Sequence, residues 1–283
     1  MSNDLRWLAS SDQQIPYHDK RMIDLYFQVL KWFKPDVIDL AGDQSDQFCF
    51  SRWSEGRPAE FLEQIKRAAK DPEAPDPLVD ILKLSQDEEK PVREFYEQHR
   101  KMAKNSEIFV ALGNHDVRAF DYFEKKIPEL LDQITPESLW GLDSLGIDYI
   151  YYNERPKHRY GGIHVHHGMS ISKHGGESVR NDMDNFGVSM MRGHSHRLAQ
   201  VSRSYPLRND GKGETIRGYE LGHMMDIYDP GAAYDNVHNW QQGFAVGHIE
   251  DGGSGPDGKN AHIQLIEISP DYTCFVEGKK FSA

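Results

Sequence analysis

Five short clusters of oxygen and imidazole donors punctuate this chain. They are Asp12-Gln13-Gln14, Gly42-Asp43-Gln44-Ser45-Asp46, Gly113-Asn114-His115-Asp116, His166-His167-Gly168 and Gly193-His194-Ser195-His196. Carboxylates, amides and imidazoles without a thiolate suit hard or borderline divalent ions such as Mn²⁺, Fe²⁺ or Zn²⁺, and do not suit soft-metal chemistry. Taken singly, a Gly-Asp pair only turns the chain at a strand end, and a His-x-His is often a surface or satisfied pair. The ordered set of five is what points to a metal centre.

Other chemistries find no support. The chain has no Gly-x-Ser-x-Gly elbow, no Walker-type Gly-Lys-Ser loop and no Gly-x-Gly-x-x-Gly after a strand. Both cysteines, Cys49 and Cys274, lie outside the clusters, which argues against a cysteine nucleophile, a disulfide framework and a Cys-rich zinc site.

The order Gly-Asp-x-x-Asp, Gly-Asn-His-Asp, His and Gly-His-x-His resembles the calcineurin-like metallophosphoesterase superfamily. The resemblance spans Asp12 to His196. It implies a two-sheet β-sandwich flanked by helices, of mixed α/β class, with a dinuclear site at strand ends. Carried over by motif, Asp12, Gln14, Asp43 and His196 would hold one divalent ion. Asp43, Asn114, His167 and His194 would hold the second, with Asp43 bridging. Mn²⁺ is the first expectation and Fe²⁺ or Zn²⁺ the alternatives. His115 would protonate the leaving group or stabilise the transition state, and Asp116 would orient its ring. Asp46 stays open between a turn acceptor and a direct role. The first motif departs from the usual pattern: Gln14 stands where His is commonest, and a neutral amide oxygen is a weaker donor than imidazole. The context Asp-Gln-Gln-Ile-Pro-Tyr-His-Asp and the later Asn239-Trp240-Gln241-Gln242-Gly243-Phe244 are similar to a phage and bacterial branch in which Asp-x-Gln is usual.

The implied activity is hydrolysis of a phosphodiester or phosphomonoester, on a nucleotide, nucleic acid or phosphoprotein. The alternative is a non-catalytic interaction module of the same fold. Such a module is expected to lose ligands or the catalytic histidine, whereas here one ligand is altered and His115 is kept. Strand alternation places His164 and His166 on one face. His167 falls at the strand end before Gly168, as the family pattern requires. His18, Lys173, His174, Arg192, Arg197 and Trp240 lie in or near the motif loops as substrate-facing candidates, with ordinary packing or surface roles equally open. His223 and Tyr219 are candidates to close the pocket.

The clusters need strands to aim them. Apolar runs at Leu5–Ser10, Val37–Ala41 and Ile108–Leu112 read as strands ending in the first three clusters. Met22, Leu25, Tyr26, Val29, Leu30 and Phe33 fall at helical spacing, with Asp19 as N-cap and Pro35 as stop. A strand–helix–strand unit favours parallel pairing, and ligands in such sheets sit at the carboxyl ends of strands. Further strands are expected at Ile163–His167, Ser189–Arg192, Leu198–Tyr205, Thr215–Leu221, Phe244–Ile249 and Ile263–Ile268. A helix is expected over Glu177–Phe186 and a Gly-rich hairpin loop over Asp251–Lys259. Pro58–Lys104 reads as helical and charged, solvated on its Glu/Lys face and broken by Pro72, Pro75 and Pro77. The expectation is one domain over 1–283, with a helical insertion at about 57–104 and a strand-rich part at about 198–283.

The 283 residues carry a net charge of -12, which argues against coating nucleic acid by bulk charge, although a metal pair would bring local positive charge. At 38% hydrophobic and 28% charged, the composition fits a folded enzyme. No run of about 18 apolar residues is present, so no membrane partner is expected. Met1–Ser11 is too short and polar for a signal peptide. Together these suggest a cytoplasmic protein, in host cytoplasm if phage-encoded.

Overall fold

The computed structural model describes residues 4–47, 50, 77–205, 214–229, 239–253 and 255–283. The class is mixed α/β. Strand β1 (Leu5–Ser10) pairs in parallel with β2 (Val37–Leu40), β2 with β3 (Glu107–Ala111), and β3 with the short β4 (Asp148–Ile150). Antiparallel β10 (Gly243–Asp251) and β11 (Lys259–Glu267) complete a six-stranded sheet of order β11-β10-β1-β2-β3-β4. The second sheet has five strands in the order β5 (Lys157–His158), β6 (Ile163–Val165), β7 (Ser189–Arg192), β9 (Glu214–Leu221), β8 (Leu198–Tyr205). A hairpin of β12 (Thr273–Val276) and β13 (Lys279–Ser282) pairs with neither sheet and packs Cys274, Val276 and Phe281 into the core beside α1.

Alternation along the strands divides the apolar side chains between two faces. Trp7, Ala9, Phe109 and Ala111 of the first sheet meet Ile163, Val165, Met191, Tyr219 and Leu221 of the second in one buried cluster. Leu8, Ile38, Leu40, Ile108 and Val110 point the other way, onto helix α1 (Lys20–Phe33) and onto Val92, Phe95 and Tyr96 of α2 (Pro77–Met102). Met190 and Ile216, on the outer face of the second sheet, pack on Val179 and Met183 of α5 (Glu177–Phe186). The result is two sheets face to face with helices outside, the layering that burying both faces of each sheet requires.

Local signals behave as their chemistry demands. The Asp19 carboxylate accepts the backbone N–H groups of Arg21 and Met22 and so caps α1. Lys34 ends the helix in a left-handed conformation just before Pro35. Helix α2 is described from Pro77 to Met102 and carries Pro91 within it. The first part of the expected helical segment, 58–76, lies outside the described residues, as does Cys49. Between Glu89 and Met102, Lys90, Arg93, Glu94, Glu97 and Lys101 face solvent, but Glu89 and His99 are buried, against the expectation of a purely solvated polar face. Strand β6 stops at Val165, so His166 and His167 belong to the loop after it. The expected Gly-rich loop is the β10–β11 turn, closed by the Asp251–Lys259 pair.

Three short helical pieces were not anticipated: α3 (Arg118–Lys126), a 3₁₀ turn at Pro128–Gln133 and α4 (Pro136–Trp140). Helix α3 buries only Ala119 and Phe123, too sparse a pattern to read in a sequence. One polar group sits between the sheets. Asp39 of β2 accepts from Trp7 Nε1 and Arg159 Nε, each at 2.9 Å, and burial raises its pKa to about 6 despite Arg159.

Candidate metal centre

The C-terminal ends of β1, β2, β3, β6 and β7 converge, and each delivers one of the five donor clusters. The backbone there is contorted. Among the described residues, nine non-glycine residues have positive φ, and five of them are Asp12 (56°), Gln14 (46°), Asp43 (54°), His194 (69°) and His196 (57°). Such conformations cost on the order of 1 kcal/mol or more each and gather where function over-determines the chain. Cross-links fix the loops: Asp12 N donates to Gly42 O and Gln14 N to Asp43 O, both at 2.9 Å. The motif glycines make room. A Cβ on Gly113 would stand 2.1 Å from Asp43 Oδ1, and one on Gly193 would stand 2.3 Å from Asp12 Oδ2.

Two groups of donors result. In the first, His196 Nε2 lies 3.1 Å from Asp12 Oδ1 and 3.2 Å from the Gln14 side-chain amide. In the second, His167 Nε2 lies 3.1 Å from both Asp43 Oδ2 and Asn114 Oδ1. The other nitrogen of His167, Nδ1, is committed to Ala41 O at 2.8 Å. With Nδ1–H donating there, neutral His167 presents a lone pair at Nε2 to two oxygens that also present lone pairs. That arrangement calls for a cation or a proton between them. Burial lowers the His167 pKa, yet the Asp43 charge and hydrogen bond outweigh it and raise the value to about 9. Burial likewise pushes Asp43 up, and His167 first, then His115, hold it well below the usual carboxylate range. His194 completes the group: ligand atoms of Asp43, His167 and His194 all lie within 4.8 Å of one another. Burial and the neighbouring His167 depress the His194 pKa to about 2, leaving a neutral imidazole suited to ligation.

All seven residues named as ligands from the sequence are therefore drawn into the two groups. His166 is not in them. Its Nδ1 accepts Gly168 N at 2.9 Å, its Nε2 meets Tyr152 O at 3.1 Å, and burial lowers its pKa to about 4. Asp116 does not orient His115. It accepts the backbone N–H groups of Asp43, Gly113 and Ser45 at 2.7 to 2.8 Å, pinning two loops together. Burial and Asp43 raise its pKa to about 7. Asp46 holds the ring instead, Oδ2 lying 2.9 Å from His115 Nδ1, which resolves its role in favour of a direct contact. His115 Nε2 lies 3.9 Å from Asp43 Oδ2.

Among the substrate-facing candidates, Arg192 is fully buried, with Nη1 2.8 Å from Asp182 Oδ2, and so faces no substrate. Tyr219 is buried between the sheets, where it lines a cavity with Ile163 and Ile263 away from the donor clusters. Trp240 and His223 do border the site. The Trp240 ring stands edge-on to His196 at 4.5 Å between centroids, and His223 lies 5.8 Å from His196. Arg197 donates to Ser172 O, Lys173 and His174 are exposed on the loop before α5, and His18 is half-buried beside Met225. Arg118 was missed. It sits three residues after His115, one helical turn on, a spacing that carries meaning only once α3 is known.

No family model matches the chain. It is similar to the Gene 54 protein of Mycobacterium phage L5, 26% identical over 271 residues that cover 93% of each chain. It is also similar to the Gene 54 protein of Mycobacterium phage D29, 27% identical over the same coverage. Neither name states an activity. Among solved structures it is similar to Vacuolar Protein Sorting 29 from Cryptosporidium parvum, at 13% identity and TM-score 0.41 over 98% of this chain and 94% of that one. A single mutant of Vps29 from Entamoeba histolytica aligns at 12% identity and TM-score 0.38, over 94% and 100%. No helix among the described residues is long and apolar enough to cross a membrane.

Proposed function

We propose that this protein is a metal-dependent phosphoesterase of the calcineurin-like kind, hydrolysing a phosphodiester or phosphomonoester on a nucleotide or nucleic acid. One observation carries the reading: a buried nitrogen, His167 Nε2, faces Asp43 Oδ2 and Asn114 Oδ1 at 3.1 Å while its other nitrogen is already bonded. The donor set fits two divalent ions. Asp12, Gln14, Asp43 and His196 would hold one, and Asp43, Asn114, His167 and His194 the other, with Mn²⁺ the first candidate because the set is oxygen-rich. Bound there, the ions would supply Lewis acidity at the phosphoryl oxygens and make water a competent nucleophile at neutral pH.

The chain's own residues do the rest. Asp43 would be shared by the two ions, and its carboxylate is held in place by His167 at Oδ2 and by His115 N, which donates to Oδ1 at 2.8 Å. Asp46 takes the Nδ1–H of His115 and so fixes its ring at the edge of the site, where it would stabilise charge at the leaving oxygen. The similarity to two mycobacteriophage proteins agrees with a phage-borne role in host cytoplasm.

Hydrolysis of p-nitrophenyl phosphate and bis-p-nitrophenyl phosphate by Mn²⁺-reloaded protein, beside Asp43→Asn, tests this. Turnover of either ester that the variant lacks is the expected result, and the favoured ester separates monoesterase from diesterase. Retained metal without turnover of any phosphate ester would instead favour a non-catalytic module.

A further inference from the structure

Arg118 opens α3 on the wall of the site, with a side chain 20% exposed. Its Nη2 lies 2.9 Å from His115 Nε2, and its Nη1 donates to Asp46 O at 2.7 Å. The Asp46 carboxylate, the one acidic partner it has among the described residues, stands 3.5 Å off at Oδ1 while Oδ2 is taken by His115 Nδ1. A guanidinium cannot accept a hydrogen bond, so His115 Nε2 is the acceptor and Arg118 the donor. The chain of contacts then runs from the Asp46 carboxylate through the His115 ring to Arg118. The group that presents N–H donors from this wall is Arg118. Nη1 faces both the backbone and the carboxylate oxygens of Asp46, whereas Nη2 carries two N–H bonds and uses one of them in these contacts. A cation set against an imidazole, with one long contact to a shared carboxylate, leaves positive charge for an anion to match.

We propose that Arg118 is a substrate contact, donating to a non-bridging oxygen of the phosphoryl group, and that Asp46 and His115 hold it in place. The inference rests on the phosphoesterase reading above. A phosphate on its guanidinium gains a charge-assisted hydrogen bond that Lys, a point charge on a flexible stem, reproduces only in part.

The test uses Mn²⁺-loaded full-length protein as wild type, Arg118→Ala and Arg118→Lys. Inorganic phosphate is the probe, read by broadening of its ³¹P signal and by its inhibition of nitrophenyl ester hydrolysis. Metal content and thermal melts are taken for each variant. The expected result is phosphate affinity weaker by roughly ten- to a hundredfold in Arg118→Ala, a smaller loss in Arg118→Lys, and unchanged manganese content. Added guanidinium should restore part of the Arg118→Ala loss. Phosphate bound as tightly by Arg118→Ala as by wild type, with turnover reduced, would overturn the proposal and leave Arg118 as a brace for His115. Should Arg118→Ala not fold, wild-type phosphate affinity in Arg118→Lys would overturn it equally. A wild type that cleaves no phosphate ester but binds phosphate through Arg118 would remove the esterase reading and keep the anion contact.

Discussion

Asp46 and Asp116 are both buried beside His115, but they bond to different partners. Asp116 accepts three backbone N–H groups, from Asp43, Gly113 and Ser45. An amide in its place keeps one acceptor and turns an N–H₂ towards another donor. Asp116→Asn is therefore expected to lower stability by about 2 to 3 kcal/mol, with loss of activity following from a loosened Asp43. Asp46→Asn keeps an oxygen for His115 Nδ1 and leaves no backbone donor stranded. Its melting temperature should stay near wild type while kcat falls roughly tenfold or more. Parallel melts and kinetics on the two variants check the distinction. Equal destabilisation by both would mean that Asp46 is a scaffold residue too.

At the scale of elements, α2 meets the site loop through Tyr96, whose hydroxyl donates to Gln44 Oε1 at 3.3 Å, and through the buried carboxyl group of Glu89. Glu89 accepts from Ser45 Oγ at 2.9 Å and from Trp140 Nε1 at 2.6 Å, tying α2 and α4 to the loop that carries Asp43 and Asp46. Burial raises its pKa from 4.5 to about 7, against the two donors, with Asp116 adding to the rise. The folded state thus holds this proton more tightly than the unfolded chain. The stabilisation is full below about pH 4.5 and is lost as pH rises through about 7, a change on the order of 3 kcal/mol. Glu89→Gln removes the titration. Urea midpoints of the variant should gain on those of wild type as pH rises from 4.5 to 7, and a constant difference across that range would contradict the account.

At the scale of the whole molecule, the two sheets close over each other only if the donors at their rim can be brought together. Apposed carboxylates and imidazole lone pairs oppose that closure, and bound cations would favour it. Mn²⁺ at about a hundred times its dissociation constant should add about 2.7 kcal/mol to stability by linkage. Chelation should remove that gain, and Asp43→Asn should not show it. Calorimetric scans with and without Mn²⁺ read this directly, independently of any ester. Equal melting of loaded and stripped wild type would argue against a metal that binds the folded state.

The five clusters, the strands before them, α1 with its Asp19 cap and the five-strand convergence were legible in the chain, because each is a local pattern: an apolar run, a helical period, a polar turn at a strand end. His167 is set apart from His166 by the resemblance, whose pattern puts its histidine just before a glycine, here Gly168. Which carboxylate holds His115 was not legible. Asp116 is its neighbour in sequence, whereas Asp46 reaches it from 69 residues away across two loops. The burial of Arg192 and Tyr219 was equally hidden, since a polar residue on a strand shows no sign of which sheet will cover it. The short strands β4, β5, β12 and β13 hold too few residues for periodicity and exist through their partners. Residue types and their order determined the chemistry available to this protein. Tertiary structure decided which donor faces which, because hydrogen bonds between distant loops depend on where the sheets place them.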